Sequence, residues 1–93
     1  MGGGRKPQKR SELAGRRLNT ARNLMGKSYE TLVDDPRWVA IVGVFDPKTV
    51  GIWVREGIPQ GRVTPVAEYL KFPASMLVDN NLAESVFEKH VYE

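Results

Sequence analysis

The sequence contains no cysteine and a single histidine, His90. Without cysteine the chain cannot form a disulfide framework or a thiolate metal site. One histidine does not supply the paired ligands of common zinc motifs, and it disfavours a hydrolytic triad. The glycines at positions 2–4 lack the preceding strand and the Gly-Lys-Ser/Thr ending of a phosphate-binding loop. These absences predict a protein that is not an enzyme and that needs no metal and no cofactor.

Long apolar segments are missing as well. The longest apolar run, residues 38–45, is well short of the ~20 residues that a membrane-spanning helix requires. The N-terminus is basic and glycine-rich and has no apolar centre of a signal peptide. We therefore expect no membrane contact and a location in the cytoplasm of a bacterium or of a phage-infected cell. A length of 93 residues predicts one domain with a modest core.

Positive charge is concentrated near the N-terminus. The chain has 14 Lys and Arg against 11 Asp and Glu, which gives a net charge of +3. Residues 1–27 are strongly basic, with Glu12 as their one acid, and the rest of the chain is net acidic. This asymmetry is typical of a protein that binds a polyanion. The alternative is that the basic leader is only a solvated tail.

The N-terminal third predicts an arm followed by a helix. Residues 1–10 have nothing to bury and predict a disordered basic arm. Residues 11–25 have helical spacing, and Gly26 ends the helix. The apolar side holds Leu13, Leu18, Ala21, Leu24 and Met25, whereas Arg16, Arg17, Asn19, Arg22 and Asn23 fall largely on the other side. Ser28 is placed to cap a further helical turn.

Residues 38–45 are ambiguous, because their β-branched content favours a strand. Their flanks favour a helix, since Asp35 and Pro36 are typical of a helix start and Gly43 of a helix stop. We interpret residues 36–42 as a helix, because the segment that follows then makes sense as its partner across a tight turn.

Residues 47–56 carry the clearest helix signals of the chain. Asp46 supplies an N-cap and Pro47 a first helical residue, while Gly57 and Pro59 mark the end. Val50, Trp53 and Val54 form one apolar stripe, which leaves cationic, hydroxyl and apolar groups for the other faces. A short helix with such an outward face is suited to reading a DNA major groove.

The C-terminal part of the sequence predicts two further helices and a last segment that fits either a helix or a strand. Residues 62–72 resume helical spacing, and Pro73 opens a short helix that buries Met76 and Leu77. Residues 82–92 form a helix or a strand, because their alternation does not distinguish the two.

Six short matches connect the chain to a known family. They are Val42-Gly43-Val44, Thr49-Val50-x-x-Trp53, Gly57-Ile58-Pro59, Arg62-Val63, Ala67 with Leu70, and Pro73 with Leu77. In this order they resemble the helix-turn-helix of phage repressors and Cro-like proteins, the lambda-repressor-like family. The chain departs from that pattern at Phe45, Gly51 and Ile52, where the family often has Ser or Gln, and residues 28–35 form a longer link than usual.

The resemblance implies an all-α, compact five-helix domain over residues 11–81. Residues 1–10 would be the disordered basic arm, and residues 82–93 a C-terminal helix or strand extension. The implied function is that of a sequence-specific, double-stranded DNA-binding transcriptional regulator of the repressor type. In this interpretation the helix at residues 47–56 enters the major groove.

The candidate contacts follow from this arrangement. We expect base contacts from Lys48, Thr49, Gly51, Ile52 and Arg55. Phosphate contacts are expected from Lys27, Arg37, Trp38, Gln60 and Arg62, with an ordinary core position as the alternative for Trp38. The arm residues Arg5, Lys6, Lys9 and Arg10 are expected to follow the duplex backbone or to enter the minor groove.

A homodimer on an inverted repeat is expected, because one domain of this size reads only a few base pairs. Residues 82–92 are the candidate dimerisation element, unless they fold back and close the core. The main alternative function is a protein-interaction module, antirepressor- or antitoxin-like, that uses the same fold. RNA binding is disfavoured, because the sequence has no sheet motif with stacking aromatic residues.

Overall fold

Seven helices and one short ribbon make up residues 9–92, the part of the chain that the structure, a computed structural model, describes. In chain order they are β1 (Arg10–Ser11), α1 (Glu12–Leu24), α2 (Tyr29–Asp34), α3 (Pro36–Ile41), α4 (Pro47–Glu56), β2 (Ile58–Pro59), α5 (Gln60–Leu70), α6 (Ala74–Val78) and α7 (Glu84–Tyr92). The expected all-α character is confirmed, but the described residues contain α2 and α7 in addition to the predicted five helices. α3 is a helix and not a strand.

Side-chain caps explain where the first helices begin. The Ser11 hydroxyl accepts a hydrogen bond from the Ala14 N–H at 3.1 Å, and Ser28 and Thr31 form a reciprocal capping box at α2. Asp35 and Asp46 cap α3 and α4, each of which has a proline in its first turn. These caps satisfy N–H groups that have no partner inside the helix.

The core is centred on aromatic side chains from three helices. Trp38 of α3 lies 6.4 Å from Trp53 of α4 and 5.2 Å from Tyr69 of α5, measured between ring centroids. All three are at most 4% exposed. Aliphatic residues from five helices belong to the same core, including Leu18, Leu32, Val50, Val66 and Leu77. The burial of Val50 and Trp53 fixes which side of α4 is turned inward.

Arg17 departs from its predicted place on the polar side of α1. It is 1% exposed, and its guanidinium donates to the carbonyl oxygens of Met76 and Leu82. Its Nε lies 3.6 Å from a carboxylate oxygen of Glu84. Arg17 is therefore an internal cation that connects α1 to the end of α6 and the start of α7.

The C-terminal segment forms α7 and packs on the rest of the fold. Phe87 is fully buried, and its ring centroid lies 5.0 Å from that of Phe72. Residues 84–92 therefore complete the core instead of standing beyond it, which was the alternative to a dimerisation element. Within residues 9–92, no helix has both the length and the apolar character needed to cross a bilayer.

Candidate nucleic-acid interface

Hydrogen bonds with Trp38 of α3 and with Arg62 of α5 hold the turn between α3 and α4. The Trp38 carbonyl accepts hydrogen bonds from the Val42 and Gly43 N–H groups, and Gly43 takes the left-handed φ of +74° that this turn needs. The Trp38 indole N–H donates to the Val44 carbonyl at 2.9 Å. Arg62 of α5 donates to the Val42 carbonyl at 2.9 Å. These hydrogen bonds thus fix the conformation of the turn between α3 and α4.

α4 presents three of the predicted contact residues on one surface. Lys48, Ile52 and Arg55 are exposed and follow one another at intervals of four and three residues, and we call them the α4 face. Thr49 lies at its edge and is half-buried. Val50 and Trp53 anchor the opposite side in the core. The structure therefore brings together four of the five residues predicted for base contacts.

Gly51, the fifth, does not fit that prediction. It is buried, and a Cβ built on it would lie 3.5 Å from the Tyr29 ring and 3.4 Å from the Arg55 guanidinium. Tyr29 of α2 packs over this position, because the link between α1 and α3 is long enough to form a helix. A base approaching Gly51 would meet Tyr29 and Arg55 first.

A hollow of about 400 Å³ lies between α2 and α4 beside this contact. Its lining consists of Tyr29, Glu30, Pro47, Lys48, Gly51, Ile52 and Arg55. The lining thus combines two cations and one carboxylate with the apolar surfaces of a tyrosine, a proline and an isoleucine. Sequence reasoning did not include Tyr29 and Glu30, because only the packing of α2 on α4 places them there.

Phe45 is a third residue that was not among the predicted contacts. It stands directly before the cap of α4 and is 68% exposed, the largest exposed fraction among the bulky apolar side chains of the described residues. The sequence does contain a signal for Phe45, because it is an apolar aromatic residue in a tight turn between two capped helices. Its exposure places an aromatic ring next to the N-terminal end of α4.

At the N-terminus of α3, the Arg37 N–H is not free to bind a phosphate. An oxygen of the Asp35 carboxylate accepts from the Arg37 N–H at 2.9 Å, so a negative charge already occupies this helix end. Trp38 is fully buried with its indole N–H bonded to Val44, and its side chain is not available to a ligand. The core alternative is therefore correct for Trp38.

Asp35 is also the centre of a polar network. The Tyr69 hydroxyl donates to its second oxygen at 2.6 Å, and Lys27 lies 3.6 Å from the same oxygen. The hydrogen bond from Tyr69 holds the pKa of Asp35 below its usual value, aided by the Arg37 N–H and the Lys27 charge. Burial raises the pKa of Tyr69, and the Asp35 carboxylate raises it further. Lys27, predicted to bind phosphate, is thus paired with Asp35.

Arg37 faces a different part of the surface. Its guanidinium lies 5.2 Å from the centre of the Tyr69 ring and donates to the Tyr69 carbonyl at 3.2 Å. It lines a second hollow of about 380 Å³ together with Lys71 and His90, which shares no lining residue with the hollow beside α4. The structure does not bring Arg37 to the α4 face.

Four polar residues lie around the chain segment that follows α4. Lys9, Arg10, Gln60 and Arg62 are all exposed. Lys9 and Arg10 belong to ordered structure, because Arg10 is part of β1 and the Lys9 carbonyl accepts from the Gln60 N–H at 3.1 Å. The arm predicted over residues 1–10 is thus ordered at its last two positions, while Arg5 and Lys6 lie outside the described residues.

Comparison of the chain with protein-family models, with curated proteins and with solved structures found no match.

Proposed function

We propose that this protein binds double-stranded DNA in a sequence-specific manner, with α4 as the helix that enters the major groove. The proposal rests on one observation: α4 has a side that is buried in the core and a side that is exposed. Val50 and Trp53 anchor it in the core, while Lys48, Ile52 and Arg55 are exposed in one row. α4 is ten residues long, or about 15 Å. An α-helix with its side chains is about 10–12 Å in diameter, which the major groove, about 12 Å wide, admits.

The chemistry of the row suits base edges. Arg55 can donate two parallel hydrogen bonds to a guanine, Lys48 can donate to an acceptor on a base or a phosphate, and Ile52 can pack against a thymine methyl. Gln60 and Arg62, which follow α4 in the chain, are both exposed. In this proposal they contact the phosphate backbone and set affinity, whereas the α4 face sets sequence preference.

We also propose that two copies of the protein bind an inverted repeat. Phe87 is buried within one chain, so α7 would contribute exposed residues such as Val86, which is 44% exposed. We expect half-sites centred about 34 Å apart. A regulator of transcription, of the repressor type, is the role we assign to such a protein.

The test begins with random duplexes of about 30 base pairs, from which the protein enriches its binding sites. We expect one motif with inverted symmetry, bound more tightly than a scrambled duplex. Arg55→Gln should lower the preference for the motif by roughly tenfold, since one bidentate pair contributes about 1–3 kcal/mol of discrimination. Lys71→Gln is the matched control, because it removes the same charge from an exposed position after α5.

Failure to enrich any motif, or an equal loss of preference in both variants, would contradict sequence-specific binding through α4. Phe45 then favours a second candidate function, a protein-interaction module. Interfaces are enriched in aromatic residues, and this ring is 68% exposed in the turn before α4.

A further inference from the structure

The hollow of about 380 Å³ beside α5 and α7 has a largely apolar floor, and we call it the α5–α7 hollow. The rings of Tyr69 and Phe72 line it and are themselves buried, and Leu70, Val91 and Met25 add aliphatic surface. Pockets for small molecules begin at about 300 Å³ and are lined mainly by apolar side chains with a few polar groups. The hollow therefore has the size and the surface to bury the body of a small ligand.

The polar groups of this hollow all carry nitrogen. They are Arg37 of α3, Lys71 directly after α5 and His90 of α7, and all three are exposed. No carboxylate is found among the lining residues that the structure describes. The hollow between α2 and α4 differs in this respect, because Glu30 lies there with the cations. The charge of the α5–α7 hollow thus favours an anion.

Arg37 is held in place without being neutralised. Its guanidinium lies 5.2 Å from the centre of the Tyr69 ring and donates to the Tyr69 carbonyl at 3.2 Å. Within residues 9–92, Arg17 and Lys27 form ion pairs with carboxylates and Arg37 does not. A guanidinium has five N–H donors in a planar fork that matches a carboxylate or a phosphate. Donors of an oriented cation are therefore available to a ligand.

Lys71 has an unusual backbone conformation. Its φ of +66° and ψ of +37° are left-handed, and among residues 9–92 no other non-glycine residue has a positive φ. The turn is a helix C-cap in which the Phe72 N–H donates to the Ala67 carbonyl at 2.9 Å, where glycine or asparagine is usual. The backbone gives no reason for a lysine here, and strained residues cluster at functional sites. What lysine adds is a positive charge at the hollow.

We propose that the α5–α7 hollow binds a small organic anion, in which a carboxylate or phosphate group is joined to an aromatic or aliphatic body. Arg37 and Lys71 bind the anionic group, and the His90 ring donates an N–H to it. The body of the ligand packs against Tyr69 and Phe72. The inference is independent of DNA binding, because the described lining shares no residue with the hollow beside α4.

Calorimetric titration of the full chain with five probes tests the chemistry. Phenyl phosphate or phenylacetate should bind with a Kd of about 1 mM or tighter. Inorganic phosphate and acetate lack the ring and should bind at least about tenfold more weakly than their phenyl counterparts. Benzyl alcohol lacks the charge and should also bind more weakly. The inference is overturned if neither phenyl probe binds, or if removing the ring or the charge leaves the affinity unchanged.

Three variants place the site on the molecule. Lys71→Gln should weaken binding of the tighter phenyl probe at least about threefold, the effect of one exposed ion pair. Lys71→Gly should weaken it equally while the protein resists urea as well as the wild type or better, because glycine suits the left-handed cap and misfolding then does not explain the loss. Lys48→Gln is the matched control, since Lys48 lines the other hollow, and should leave binding unchanged.

Amide NMR spectra of the wild-type protein locate the probe directly. We expect the largest shifts at Lys71, Phe72 and His90. Shifts centred on Lys48 and Ile52 instead, or an equal loss of affinity in Lys48→Gln and Lys71→Gln, would overturn the assignment to the α5–α7 hollow.

Discussion

At the scale of single residues, two glycines on facing helices have opposite surroundings. A Cβ on Gly15 of α1 would collide with the carbonyl oxygen of Trp53, so the absence of a side chain sets how closely α1 and α4 approach. A Cβ on Gly51 would make ordinary contacts with Tyr29 and Arg55. Only at Gly15 is the glycine required by the packing of the backbone.

Gly51→Ala should therefore stabilise the protein and Gly15→Ala should destabilise it. Alanine is favoured over glycine in a helix by about 0.8–1 kcal/mol, which we expect as a gain at Gly51. At Gly15 the collision with backbone should outweigh that gain and cost about 1–3 kcal/mol. Urea unfolding measures both changes, and an equal sign for the two variants would contradict this account. Gly51→Ala should also keep the DNA preference, because Gly51 lies beneath Tyr29.

At the scale of elements, the start of α3 depends on one carboxylate. Asp35 caps the Arg37 N–H, accepts from the Tyr69 hydroxyl and lies near Lys27, so that α3, α5 and the link before α2 meet there. Its pKa is held below the ordinary 3.8 in the folded protein, mainly by the Tyr69 hydrogen bond. As the pH falls, the unfolded chain takes up the proton first, which favours unfolding.

The stability that Asp35 contributes should thus be present above about pH 3.8 and be lost below it. Urea unfolding at about pH 6 and about pH 3 measures this loss. Asp35→Asn should reduce it, because the amide oxygen still accepts hydrogen bonds but does not titrate in this range. Asp34→Asn removes an exposed neighbouring carboxylate and should leave the loss as in the wild type. A loss that both variants reduce equally would contradict a special role for Asp35.

The same elements show what local sequence can predict. The caps at Asp35 and Asp46 and the stop at Gly57 lie within a few residues of the helices that they bound, and α3 and α4 were predicted from them. The outward position of Lys48, Ile52 and Arg55 follows from the inward stripe of α4 alone. The hydrogen bond from the Tyr69 hydroxyl to the second oxygen of Asp35 was not predicted, because Tyr69 lies 34 residues away in the chain.

At the scale of the whole molecule, long-range contacts decide what local patterns leave open. The hydrogen bonds of Arg17 join residues 59 and 65 positions apart, and that of Arg10 spans 47. Arg17 has helical spacing with the buried Ala14, Leu18 and Ala21, but no pattern within α1 indicates that its partners are the carbonyls of residues 76 and 82. No pattern in residues 1–10 indicates the pairing of β1 with β2. The packing of Tyr29, from α2, against Gly51 is likewise a tertiary contact. The candidate face was therefore predictable, whereas its surroundings were not.

Arg17 provides the last prediction, because it fixes α7 to the fold. Arg17→Met should cost about 1–3 kcal/mol of unfolding free energy, since the side chain is buried and the carbonyls of Met76 and Leu82 lose their donor. Arg16→Met changes the exposed neighbour and should stay within about 0.5 kcal/mol. Amide hydrogen exchange at Phe87 distinguishes the cause: it should accelerate in Arg17→Met more than exchange in α4 does, because α7 loses its attachment first. Equal acceleration in both helices would mean that Arg17 stabilises the core in general and does not hold α7 in particular.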